Sequence, residues 1–162
     1  MVIKEKRHRF PREFYKGAVT ASFTLCIKES TGSLNDPIIV EAFTDILGRC
    51  IDVEECIIPV FCFMDDHQHL IISGKKSNSD IYSVIVKYKQ KTGYWLSKST
   101  PEIKWQKDFF DHIIRERREI VAQIRYVLDN PVRKGLVSVW HDYPFTGSIG
   151  CELVDVLNGV IL

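Results

Sequence analysis

The stretch Ile57-Ile58-Pro59-Val60-Phe61-Cys62-Phe63-Met64-Asp65-Asp66-His67-Gln68-His69-Leu70-Ile71-Ile72-Ser73 decides the fold. Its two apolar runs, Ile57 to Met64 and His67 to Ser73, have the length and composition of strands. Asp65-Asp66 between them makes a short turn, so the pair reads as a hairpin. Upstream, Asp36-Pro37 has the form of an N-cap followed by proline at the first helical position. Ile39, Phe43, Ile46, Leu47 and Cys50 then recur at helical spacing, to about residue 54. Before that helix, 30–35 reads as a loop and 17–27 as a strand. Downstream, Ile81, Val84, Ile85, Tyr88 and Leu96 form the apolar face of a helix over 78–97, capped by Asn78 or Ser79. Thr100-Pro101 breaks it. Trp105 to Arg115 reads as a fourth strand region and Glu116 to Asp129 as a further helix, ended by Asn130-Pro131.

The order β-α-β-β-α-β-α predicts an α+β domain of ferredoxin-like layout. It is an antiparallel β-sheet of four to five strands with helices packed on one face. The 162 residues suit a single domain over 1–162, with a basic N-terminal arm at 1–16 and a turn-rich C-terminal tail at 141–162. The five cysteines are odd in number and form no C-x-x-C pair, which points to a reduced, cytoplasmic protein. No apolar run approaches the roughly 20 residues of a membrane span, and no apolar segment follows the charged N-terminus, so neither membrane nor signal peptide is expected.

A net charge of +1 argues against a nucleic-acid partner, but its distribution argues the other way. Met1 to Lys16 holds six Lys/Arg against two Glu, and Lys87 to Lys134 holds twelve Lys/Arg against six Asp/Glu. The nine Asp/Glu between Glu29 and Asp66 offset them. Such a chain can still present a basic face, or simply a solvated one.

Two features carry chemistry. His67 and His69 stand at i and i+2 on a strand, so both imidazoles point to one face, about 7 Å apart along the chain. They can grip one metal ion, or be surface histidines beside a turn. Asp65 and Asp66 can add oxygen ligands or serve only the turn. Tyr126 and Asn130 stand four apart on a helix and project together. With a metal-bound phosphate beside it, a tyrosine hydroxyl can be a nucleophile, and the asparagine amide oxygen a further ligand. Equally, Tyr126 can be a core tyrosine and Asn130 a C-cap before proline.

Taken with their surroundings, these stretches resemble a known family. Phe61 to Ile72 resembles the hairpin of single-tyrosine transposases of the His-hydrophobe-His superfamily, whose domain is called IS200-like. Trp105-Gln106, Phe109, Asp111 and Ile114 are similar to that family's Trp-Gln…Phe…Asp-x-x-Ile segment. Tyr126-Val127, with Asn130-Pro131-Val132-Arg133-Lys134-Gly135-Leu136-Val137, resembles its Tyr-Ile-x-x-Asn-Pro-Val-x-x-Gly-Leu-Val block, the mark of the REP-associated tyrosine transposases. Asp142-Tyr143-Pro144-Phe145, Arg9-Phe10-Pro11 and the strand with Thr24 also fit, so the likeness runs over roughly 8–148. Two departures stand out: Gln68 replaces an apolar residue, and Asp65-Asp66 replaces Pro-Asn. Gln68 should point to the opposite sheet face, so it bears on packing more than on chemistry.

The resemblance implies metal-dependent cleavage and rejoining of single-stranded DNA, with hairpin DNA as the usual target. It makes Tyr126 the catalytic nucleophile, forming a 5′-phosphotyrosine bond. His67, His69 and Asn130 become ligands of Mg²⁺ or Mn²⁺. Lys4, Lys6, Arg7, Arg9 and Arg12, then Lys87, Lys89 and Lys91, then Arg133 and Lys134, become DNA contacts. Relatives include monomers and homodimers that share sites between chains, so either state is open. Two rivals remain: a domesticated nucleic-acid-binding module without cleavage, and a metal phosphoesterase that uses water.

Overall fold

The computed structural model describes residues 9–29 and 32–159. Its elements are β1 (Thr20–Cys26), α1 (Pro37–Val53), β2 (Cys56–Phe63), β3 (His67–Gly74), α2 (Ile81–Ser99), β4 (Phe110–Ile114), α3 (Arg117–Leu128), α4 (Asn130–Arg133), β5 (Thr146–Ile149) and α5 (Leu153–Leu157). Five strands form one antiparallel sheet in the order β4-β1-β3-β2-β5. The first four are in ferredoxin-like order, as the element sequence predicts. In this arrangement β3, which carries the histidines, lies at the centre of the sheet.

Helix α1 starts as expected: Asp36 Oδ1 accepts from the backbone N–H groups of Ile38 (2.9 Å) and Ile39 (3.3 Å), with Pro37 following. Helix α2 starts later than Asn78 or Ser79. Its cap is Asp80, which accepts from Ser83 N at 2.9 Å. Ser79 is occupied elsewhere, donating its hydroxyl to Glu55 O and accepting from Lys76 N. The apolar faces of α1 and α2 pack with Ala21, Phe23, Leu25, Phe63, Leu70 and Ile72 in the larger core.

The expectation of helices on one face needs correction. A second core, of Val60, Cys62, Met64, Ile71, Ile114, Ile124, Val127 and Leu128, lies under α3 on the other face. A strand covered on both sides has no polar face, and every residue of β2 is buried. The unbroken apolar run Ile57 to Met64 is the trace of that two-sided burial. Pro59 lies within β2, where the ladders to β3 and β5 both shift register. Proline has no N–H for a ladder bond, and a bulge is where a strand accommodates it.

The segment 141–162 is also more than a tail. It supplies β5, which pairs with β2, and Val156 of α5, which joins the second core. Tyr143 is buried there and donates its hydroxyl to Phe63 O at 2.6 Å. β5 is only four residues long and half-buried throughout, so it shows no alternating pattern to read. Of the arm, residues 9–16 are described, mostly exposed but anchored at Arg9 and Tyr15. Tyr15 is fully buried and donates to Asp111 Oδ2 at 2.5 Å, while Arg9 pairs with Asp111 Oδ1 at 3.0 Å.

Candidate active site

His67 and His69 project from the α3 face of β3. Their Nε2 atoms are 3.1 Å apart and the rings meet edge to face, centroids 4.7 Å apart. Each ring is oriented from behind. His67 Nδ1 lies 2.5 Å from Asp66 Oδ1. His69 Nδ1 lies 2.9 Å from the hydroxyl of Thr24, its cross-strand partner on β1. An ionised carboxylate only accepts, so His67 carries its proton on Nδ1 and turns Nε2 to the site. Burial is the largest single influence and works to raise the Asp66 carboxyl, but the hydrogen bond from His67 and nearby charge together exceed it and hold the group at about 2. Burial foremost, with smaller contributions from the neighbouring His67 and Arg133, pushes His69 down to about 3, which keeps its ring neutral.

The spacing of the pair fits a shared divalent ion. Two ligand atoms at neighbouring corners of an octahedron with bonds of about 2.1 Å stand about 3 Å apart, close to the spacing found. Supporting groups that fix the tautomer of each imidazole are what a metal-binding histidine needs. The third polar group is Asn130, buried, with Nδ2 3.5 Å from His67 Nε2. Turning the amide by 180° puts Oδ1 in the same place without moving the chain. No third His, Cys, Asp or Glu completes a cluster among the described residues.

Tyr126 sits on α3 above the pair. Its ring centroid is 6.1 Å from that of His69, and the side chain is 53% exposed, open to an incoming chain. α3 closes at Leu128, with Asp129 as its C-cap, and Asn130 opens α4. Tyr126 and Asn130 therefore flank the histidines from two consecutive helices rather than one. Ile124, Val127 and Leu128 on the buried face of α3 hold the tyrosine over the sheet. All four groups come from one chain.

The expected DNA contacts are scattered. Arg133 lies beside the tyrosine. The Arg133 guanidinium is 4.2 Å from the centroid of the Tyr126 ring and donates to Tyr126 O at 3.1 Å, and Lys134 is exposed. Lys87, Lys89 and Lys91 are on α2, across the sheet. Lys87 is paired with Glu54 at 2.6 Å, Lys89 donates to Gln106 O and Lys107 O, and Lys91 is exposed. Arg9 is held by Asp111 and the Phe109 ring, and Arg12 by Asp80 and the Tyr82 ring. Lys4, Lys6 and Arg7 lie outside the described residues. Asp66 turns out to carry His67, and Thr24 to carry His69. Thr24's position depends on strand register, which one strand's residues do not reveal, whereas Asp66 is the turn residue next to His67.

A ferredoxin-like sheet with a His-x-His pair on its central strand, faced by a helix-borne tyrosine, is the framework of the single-tyrosine DNA transposases. Residues 16–129 match the family model described as "Transposase IS200 like", about 70% of the chain, and the chain belongs to that family. It is 26% identical over 149 residues to a Haemophilus influenzae protein named as a REP-associated tyrosine transposase, covering 85% of this chain and 83% of that one. The fold resembles the solved structure of a REP-associated tyrosine transposase bound to a REP hairpin. The TM-score is 0.73 at 20% identity, over 88% of this chain and 82% of that one. A Deinococcus radiodurans protein assigned as a transposase matches with a TM-score of 0.50 at 17% identity, over 79% of this chain and 97% of that one.

Proposed function

We propose that this transposase cuts and rejoins single-stranded DNA beside a hairpin through a covalent bond to Tyr126. The observation that carries the reading is the 3.1 Å approach of two oriented imidazole nitrogens below an exposed tyrosine. His67, His69 and Asn130 would hold Mg²⁺ or Mn²⁺. When bound, the ion supplies positive charge to the scissile phosphate and its developing transition state. Asp66 accepts from His67 Nδ1 and Thr24 bonds His69 Nδ1, so the two Nε2 atoms are aimed at one point. Tyr126 Oη forms a bond to phosphorus and loses its proton, while the bond from phosphorus to the 3′ oxygen breaks and that oxygen takes up a proton. The 5′ end stays on the protein and a 3′-hydroxyl is freed. Attack by a 3′-hydroxyl on the phosphotyrosine reverses the step and joins ends without ATP. Arg133, beside Tyr126, and the exposed Lys134 contact phosphates. The solved relative bound to a REP hairpin supports a hairpin as substrate. The reading sets the enzyme with DNA in the cytoplasm, and none of the described helices is long and apolar enough to cross a membrane.

The test is to trap the intermediate. Incubation with a labelled single-stranded hairpin and Mn²⁺ should give a protein species heavier by the 5′-linked fragment. It should survive denaturation, vanish in Tyr126→Phe and disappear with EDTA. Cleavage without adduct would make water the attacker, as in a phosphoesterase. Binding without cleavage of any hairpin would leave a DNA-binding module.

A further inference from the structure

We propose that the groove between α2 and the segment 101–107 is a second DNA contact, which takes a single-stranded segment flanking the one at Tyr126. It rests on the reading that the substrate is single-stranded DNA, but not on the covalent chemistry. The first observation is Gly93, in the middle of α2. Glycine inside a helix costs about 0.5–1 kcal/mol relative to alanine, so it needs a reason. Packing does not supply one. A Cβ at Gly93 would meet only Trp105 Cδ1, at 3.7 Å, an ordinary contact. What the missing side chain leaves is space: Gly93 lines a groove of about 580 Å³, walled by Trp105 and Gln106 and ringed by Lys89, Lys104 and Lys107.

The chemistry of these walls fits a nucleotide strand. Trp105 is half-buried and fixed, its Nε1 donating to Thr92 Oγ1 at 2.9 Å with Phe43 packed against it. Lys104 and Lys107 are exposed, and neither is ion-paired among the described residues. Lys89 Nζ donates to Gln106 O at 2.8 Å and Lys107 O at 2.9 Å and lies 5.5 Å from the centroid of the Phe109 ring, which fixes its charge at the groove wall. Fixed aromatic surface interleaved with cations is what holds unpaired bases and their phosphates. A duplex hides its base faces and could not use the Trp105 surface in this way.

The groove wall is tied to the strand end beside the histidines. Gln106 N donates to Cys26 O, and its side-chain amide donates to Ile27 O at 3.0 Å. Cys26 is the register partner of His67, and Ile27 N donates to Asp66 O, the residue that supports His67. The groove wall therefore sits at the histidine end of the sheet, one strand over. A strand leaving Tyr126 can continue into it around that end.

The experiment measures fluorescence anisotropy of a labelled dT12 oligonucleotide on the full chain carrying Tyr126→Phe, so that no cleavage intervenes. Gly93→Gln, which fills the groove, should weaken binding tenfold or more. Gly93→Ala should bind nearly as before and melt at or above the parent temperature. Lys104→Ala with Lys107→Ala keeps the test independent of the helix. It should weaken binding and reduce the slope of log affinity against log salt by about 1.4, from about 0.7 per phosphate contact on single strands. Parent-like affinity in both Gly93→Gln and the lysine pair would overturn the proposal. So would an equal loss with a 12-base-pair duplex, which would make the surface a duplex platform. If wild-type protein forms no adduct while these variants still lose dT12, the groove stands and the covalent reading falls.

Discussion

At position 68 an amide occupies a strand site whose same-face neighbours, Leu70 and Ile72, are apolar core. Gln68 is fully buried, and its Oε1 accepts from the Tyr88 hydroxyl at 2.6 Å. Its Nε2 has no partner among the described residues. The two polar groups satisfy each other only in part, and each depends on the other being there. Tyr88→Phe should strand the whole amide and lower stability by about 1–3 kcal/mol, and Gln68→Leu should strand the hydroxyl. The double variant removes both partners and should be at least as stable as the parent, a coupling that urea unfolding of the four proteins will measure. Because the amide faces α2 and the histidines face α3, Mn²⁺ binding should be unchanged in all of them. If the single losses simply add, the pair does not couple.

Among elements, α1 and α2 are tied at one end by charge. Glu54, the C-cap of α1, accepts from Ser83 Oγ at 2.7 Å and Lys87 Nζ at 2.6 Å on α2. Burial works against the charged carboxylate, yet the bonds from Lys87 and Ser83 outweigh it and hold the carboxyl below its ordinary range. A carboxyl depressed in the folded state stabilises above its unfolded pKa, about 4.3, and that stability is lost as pH falls through the folded value. Glu54→Gln should therefore cost about 1 kcal/mol or less at pH 7. The gap in melting temperature from the parent should close at acid pH. A gap that persists at acid pH would mean that shape, not charge, makes the tie. This pairing also explains why clustered lysines mislead as a sequence signal. Lys87, Lys89 and Lys91 look alike in the chain, but one is neutralised by Glu54, one is held by carbonyls and one is exposed. Periodicity reports which side of a helix is apolar; it does not report what an arriving loop will place beside each charge.

For the molecule as a whole, the sheet and its first two helices were legible because α1, α2, β1 and the β2–β3 hairpin each carry a local pattern and a local stop signal. The second layer was not. Its helix α3 was visible, but its placement across the sheet depends on β2 being apolar on both faces, and β5 pairs over some 80 residues of chain without a pattern of its own. The site divides in the same way. His67, His69, Tyr126 and Asn130 stood out by spacing and resemblance, whereas Thr24 acquires its role only from lying opposite His69. That histidines, asparagine and tyrosine meet within one polypeptide has a genetic consequence. Two defective alleles, one encoding His67→Ala and one Tyr126→Phe, should not complement each other in the same cell, even where the products associate, since neither chain can lend its partner the missing half. Restored transposition from the mixed alleles would show that the functional unit exchanges its tyrosines between subunits. Otherwise each gene copy is sufficient for its own cut, and a null allele is recessive without interfering with its neighbour.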